Sequence, residues 1–121
     1  MKTRIAILGS TGSIGKTLLN ILKDEKNINI VLLTARTNYK ELLNQTLKFK
    51  VENVVIQNYD SYLKFKILNK NKKIKVYNNY KYFNKIFKSK VDYVMSSITG
   101  IEGLLPTIKI IKFTKKIIFD I

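Results

Sequence analysis

At 121 residues, 45% of them hydrophobic, the chain has room for one domain with a core of its own. It holds neither cysteine nor histidine, which excludes disulfides, thiolate metal sites and imidazole catalysis. A net charge of +15 suits a nucleic-acid or anionic-membrane partner, but the lysines form no clean stripe and no nucleic-acid motif accompanies them.

The first predicted element is a buried strand, Arg4-Ile5-Ala6-Ile7-Leu8. It runs straight into Gly9-Ser10-Thr11-Gly12-Ser13-Ile14-Gly15 and then a helix with Ile14, Thr17, Leu18, Ile21 and Leu22 on one face. Strand, glycine turn and helix start are the parts of a phosphate-binding βα unit. Gly9 allows the turn, Gly12 leaves room for a diphosphate, and Gly15 lets the helix pack closely. The backbone N–H groups of Thr11 to Ile14 would meet the anion at the positive end of the helix dipole. The hydroxyls of Ser10, Thr11 and Ser13 are expected to add donors and a helix cap.

Ile28 to Leu33 is a near-continuous apolar run and reads as a parallel strand covered on both faces. A helix over Tyr39–Phe49 carries Leu42, Leu43, Thr46 and Leu47. A short strand follows at Asn53–Ile56, then a helix capped by Asn58 or Asp60 that carries Tyr62, Leu63, Ile67 and Leu68. Alternation over Lys73–Tyr77 predicts an edge strand. Tyr80, Phe83 and Phe87 suggest a short helix, and Val91–Ser96 another strand. The last helix should bury Ile101, Leu104, Leu105, Ile108 and Ile111, with Pro106 tolerated only in its first turn. Lys116–Phe119 is the final strand. Strands alternating with helices imply an α/β fold, a Rossmann-like doubly wound and mostly parallel sheet, as one domain over residues 1–121.

In such a fold a carboxylate at the end of the second strand commonly holds the adenosine ribose of NAD. Here that place reads Thr34-Ala35-Arg36-Thr37-Asn38, with Lys40 beyond. Arg36 can face a 2′-phosphate as a charged fork, and Thr37 and Asn38 can donate hydrogen bonds to it. NADP is therefore favoured over NAD. The candidate cofactor-binding residues are Gly9, Ser10, Thr11, Gly12, Ser13, Ile14, Arg36, Thr37 and Asn38. No catalytic residue and no metal ligand is assigned. Asp120 reads as a solvated carboxylate. No apolar run reaches membrane-spanning length and the N-terminus enters a strand directly, so a cytoplasmic protein without a membrane partner is expected. Abundant Lys, Asn, Ile and Tyr beside two alanines and one proline match the codons of an AT-rich genome, so the charge is read as codon bias and no nucleic-acid partner is expected.

Ile7-Leu8-Gly9-Ser10-Thr11-Gly12-Ser13-Ile14-Gly15 followed by Thr17-Leu18 resembles the start of 1-deoxy-D-xylulose 5-phosphate reductoisomerases. Val94-Met95-Ser96-Ser97-Ile98-Thr99-Gly100-Ile101-Glu102-Gly103-Leu104-Leu105-Pro106-Thr107 resembles a second stretch of that family, which ends in Gly-Leu-x-Pro-Thr. The resemblance implies an NADPH-binding domain with Ser96 to Gly100 lining the cofactor crevice. The family's Gly-Lys-Asn after the second strand is here Arg36-Thr37-Asn38. The whole enzyme is expected to convert 1-deoxy-D-xylulose 5-phosphate to 2-C-methyl-D-erythritol 4-phosphate with NADPH and a divalent metal, magnesium or manganese, as a homodimer. The chain ends at Phe119-Asp120-Ile121, before the family's Asn-Lys-Glu-Ser stretch and catalytic domain. The expectation is thus a truncated member that binds nucleotide without turning over the sugar phosphate. The alternatives are another NADP-dependent Rossmann oxidoreductase domain, such as an aspartate-semialdehyde dehydrogenase, which the missing cysteine disfavours, and a non-catalytic basic binding protein.

Overall fold

The computed structural model describes residues 2–98 and 100–119. Six strands form one sheet: β1 (Thr3–Leu8), β2 (Ile28–Ala35), β3 (Asn53–Ile56), β4 (Lys75–Tyr77), β5 (Val91–Ser96) and β6 (Thr114–Phe119). Their spatial order is β4-β3-β2-β1-β5-β6, and every neighbouring pair is parallel. The chain steps outward from β1 to β4, then crosses back to β5 on the other side of β1. That reversal places a crevice between the loops after β1 and β5, the position where doubly wound sheets take ligands.

The central strands are apolar on both faces because both are covered. On one face α1 (Ser13–Leu22), α2 (Tyr39–Lys48) and α3 (Tyr59–Leu68) bury Ile5, Ile7, Leu33 and Val54 under Leu19, Leu42 and Phe65. On the other, α4 (Phe83–Ile86) and α5 (Ile101–Ile110) with their 3₁₀ turns at Tyr80–Tyr82 and Ile111–Phe113 cover Ala6, Leu8, Leu32 and Val94. Asn58, rather than Asp60, caps α3 by accepting the Ser61 N–H at 2.9 Å. The edge strand expected over Lys73–Tyr77 is shorter, and β2 runs two residues further than its apolar run.

Three helical faces differ from those expected. In α1 the buried residues are Gly15 and Leu19, with Leu18 and Leu22 half-buried, while Ile14 and Ile21 are exposed. In α3 the buried residues are Ser61 and Phe65, and Leu63, Ile67 and Leu68 are exposed. In α5 the buried residues are Gly103, Pro106, Thr107 and Ile110, whereas Ile101, Leu104, Leu105, Ile108 and Ile111 are all exposed, Ile101 at 86%. The cause in α1 and α5 is a glycine packed against backbone. A Cβ on Gly15 would lie 2.5 Å from the Gly9 carbonyl oxygen, and one on Gly103 would run into the Ile98 carbonyl. Those contacts fix the roll of each helix, and the bulky residues follow. Pro106 is the sixth residue of α5, past the first turn where it was expected; its missing N–H deprives the Glu102 carbonyl of its regular i+4 donor.

Candidate functional site

The turn after β1 is held from both sides. Gly9 takes φ +77°, a left-handed conformation that side chains resist, and a Cβ there would also press on the Ile98 side chain. From the β2 side, Thr34 accepts the Gly9 N–H on Oγ1 and the Ser10 N–H on its carbonyl, both at 2.9 Å. Gln45 of α2 completes this clamp: the Ser10 hydroxyl donates to Gln45 Oε1 at 2.8 Å, and Gln45 Nε2 returns a bond to the Ser10 carbonyl at 3.0 Å. From the β5 side, the Ser97 hydroxyl reaches the carbonyls of Leu8 and Gly9 at 2.9 and 2.7 Å. Burial pushes the Tyr80 phenol above its ordinary pKa, with the Thr34 side chain partly opposing the shift.

The expected hydroxyl cap on α1 is not formed. Gly12 is the N-cap residue, with extended backbone and no side-chain cap, and the Ser10 hydroxyl is buried and committed to Gln45. The first bond into the helix runs from the Lys16 N–H to the Gly12 carbonyl at 2.9 Å. The N–H groups of Ser13, Ile14 and Gly15 are therefore orphan donors of the first turn, at the positive end of the dipole. Gly12, Ser13 and Ile14 are exposed and Thr11 half-buried, and a Cβ on Gly12 would meet nothing closer than the Gly9 carbonyl oxygen at 3.8 Å. An uncapped helix start beside an open glycine fits an anion.

Arg36, Thr37 and Asn38 are exposed on the β2–α2 loop at the same end of the sheet. The Asn38 carbonyl oxygen is occupied, since Oδ1 accepts the Glu41 N–H and caps α2, which leaves its NH₂ group for a ligand. The Thr37 carbonyl accepts the Tyr39 N–H at 2.8 Å, and the Arg36 carbonyl accepts the Asn58 N–H at 2.9 Å. The Arg36 guanidinium pairs through Nη1 with both Glu102 oxygens, at 3.0 and 3.2 Å. Because β2 and β5 flank β1, that pair crosses above the end of β1. At the end of β5, Ser96 does not line the crevice; it is buried against Thr107, hydroxyl to hydroxyl at 3.1 Å. Thr99 and Asp120 lie outside the described residues.

Sequence reasoning missed the roles of Thr34, Gln45 and Glu102, and placed Ser97 at the crevice without its bonds to the turn. A signal existed for Gln45, a polar residue three positions from Leu42 on the inward face of α2. Among the described residues no three acidic side chains gather in a way that could hold a metal ion. Asp92 works at the opposite end of the sheet: it accepts the Arg4 N–H at 2.8 Å and pairs with Lys115 at 3.2 Å. The Arg4 backbone bond, then Lys115, holds its carboxyl below the usual range. Among the described residues no helix is long and apolar enough to cross a membrane.

The sequence model of the 1-deoxy-D-xylulose 5-phosphate reductoisomerase family matches residues 5–119. The chain is 53% identical over 117 residues to the reductoisomerase of Pelagibacter ubique, covering 94% of itself and 30% of that protein. It is 40% identical to the enzyme of Phocaeicola vulgatus, covering 97% of itself and 31% of the relative. The chain thus spans about a third of the length of these relatives. Among solved structures it resembles the Zymomonas mobilis reductoisomerase in complex with NADPH, with a TM-score of 0.87, 22% identity, and coverage of 98% of this chain and 32% of that one; this likeness shows the fold. It also resembles a reductoisomerase in complex with NADPH, fosmidomycin and magnesium, with a TM-score of 0.82, 27% identity, and coverage of 95% and 29%.

Proposed function

Since the chain belongs to the 1-deoxy-D-xylulose 5-phosphate reductoisomerase family, we propose that it is the NADPH-binding domain, residues 1–121, of such an enzyme. Gly9, Ser10, Thr11, Gly12, Ser13 and Ile14 hold the diphosphate, chiefly through backbone N–H groups at the head of α1; Ser10 contributes through its backbone, its hydroxyl being engaged with Gln45. Arg36, Thr37 and the Asn38 amide hold the 2′-phosphate. The observation that carries this reading is the uncapped start of α1 seated against a turn pinned by Thr34, Gln45 and Ser97. That pinning keeps the donors in place before the ligand arrives, so little ordering remains to be done on binding.

When bound, NADPH supplies hydride for the reductive half of converting 1-deoxy-D-xylulose 5-phosphate to 2-C-methyl-D-erythritol 4-phosphate. This chain's part is to orient the nucleotide at the crevice. We assign it no catalytic residue and no metal ligand; the sugar phosphate and the magnesium or manganese belong to the rest of a cytoplasmic, homodimeric enzyme.

Fluorescence titration of the 121-residue chain with NADPH, NADH and single-stranded DNA tests the proposal. NADPH should bind tightest. Equal affinity for NADH would remove the role given to Arg36. Salt-sensitive DNA binding without dinucleotide binding would favour a basic binding protein instead.

A further inference from the structure

We infer that Glu102 is a specificity-determining residue that competes with the 2′-phosphate for Arg36. The inference rests on the NADPH reading above. Arg36 is one of two arginines in the chain, and its partner lies 66 residues away at the head of α5, on the same crevice. Only eight acidic residues face twenty-three basic ones, so a carboxylate seated on this particular guanidinium is not explained by a surplus of acids. Glu102 is in the first turn of α5, the one acidic residue there, where the helix dipole favours it whether or not Arg36 is present.

The competition follows from charge. Both carboxylate oxygens lie within hydrogen-bond reach of Nη1, the face a phosphate would also seek. A 2′-phosphate arriving at Arg36 comes within a few ångströms of a like-charged carboxylate, which must swing away or repel it. NADH brings no such group and leaves the pair undisturbed. Glu102 therefore lowers the preference for NADPH below what Arg36 alone would give. Since both side chains are more than 60% exposed, water screens the pair and the effect is modest.

Titration of the 121-residue chain with NADPH and NADH at one ionic strength, for the wild type, Glu102→Gln, Arg36→Gln and the double variant, tests this. Circular dichroism melts establish that each variant is folded. Glu102→Gln should tighten NADPH about two- to five-fold, the size of an exposed ion pair. NADH affinity should stay unchanged, and the gain should shrink in the Arg36→Gln background, where only the direct repulsion between carboxylate and phosphate is left to relieve. An equal gain for both nucleotides, a gain undiminished without Arg36, or a weaker preference for NADPH would each overturn the inference, the last by showing that Glu102 positions the arginine. A wild-type chain that binds neither nucleotide would defeat the NADPH reading and this inference with it. A wild-type preference for NADPH that Glu102→Gln leaves unaltered defeats the inference alone.

Discussion

Gly12 and Gly15 look alike in sequence, but the structure separates them. A Cβ on Gly12 would meet no non-neighbouring protein atom closer than 3.8 Å, so the cost of a side chain there falls chiefly on whatever approaches the turn. Gly12→Val should weaken NADPH binding at least about tenfold while lowering stability by no more than about 1 kcal/mol, the price of a poorer N-cap. Gly15→Val should lose both, because its Cβ would strike backbone at 2.5 Å; paired titrations and urea melts distinguish the two variants. Asp92 offers a test remote from the site. Its folded-state pKa is depressed, first by the Arg4 N–H and then by Lys115, so its contribution is full at neutral pH and is lost as pH falls through that lowered value. In urea unfolding, the stability difference between wild type and Asp92→Asn should therefore be present above about pH 4 and vanish on further acidification. A difference that persists in strong acid would mean the group acts through packing. The glycine turn was legible at this scale because its residues are contiguous. Gln45 and Glu102 were not, since each acts on a loop dozens of residues away.

The strands were read nearly as they are, because a β-branched run covered on both faces looks the same from either side. Helices were read less well. Ile101, Leu104, Leu105, Ile108 and Ile111 make a convincing apolar stripe, yet α5 turns Gly103, Pro106, Thr107 and Ile110 inward. Periodicity finds the stripe with the most apolar residues, whereas packing finds the one with the closest approach, and a glycine against backbone wins that contest. In an isoleucine-rich chain the two stripes need not coincide. The roll can be checked by substitution. Ile110, fully buried, should lose about 2–5 kcal/mol as Ile110→Ala, while Ile101→Ser should stay within about 0.5 kcal/mol. Comparable losses at both positions in chemical denaturation would mean that α5 is rolled the other way.

Across the whole molecule, charge acts on folding and on binding with opposite signs. Lysines are spread over many faces, several lying over aromatic rings, such as Lys66 on Tyr62 at 5.1 Å and Lys112 on Phe113 at 5.3 Å. Two ion pairs among the described residues, Arg36–Glu102 and Lys115–Asp92, offset little of a +15 net charge. The folded chain therefore repels itself, and the denatured chain, being larger, repels itself less. Raising NaCl from about 10 mM to about 300 mM shortens the screening length from about 30 Å to less than 10 Å, which relieves that repulsion. The melting temperature should rise across this range. NADPH affinity should fall across it, because the same screening weakens the attraction of Arg36 and the head of α1 for phosphate. A melting temperature that drops with salt would make the two ion pairs more important than the dispersed lysines. An affinity indifferent to salt would mean that the nucleotide's phosphates meet neither the guanidinium nor the helix dipole, and would overturn the sites proposed at Arg36 and the uncapped turn.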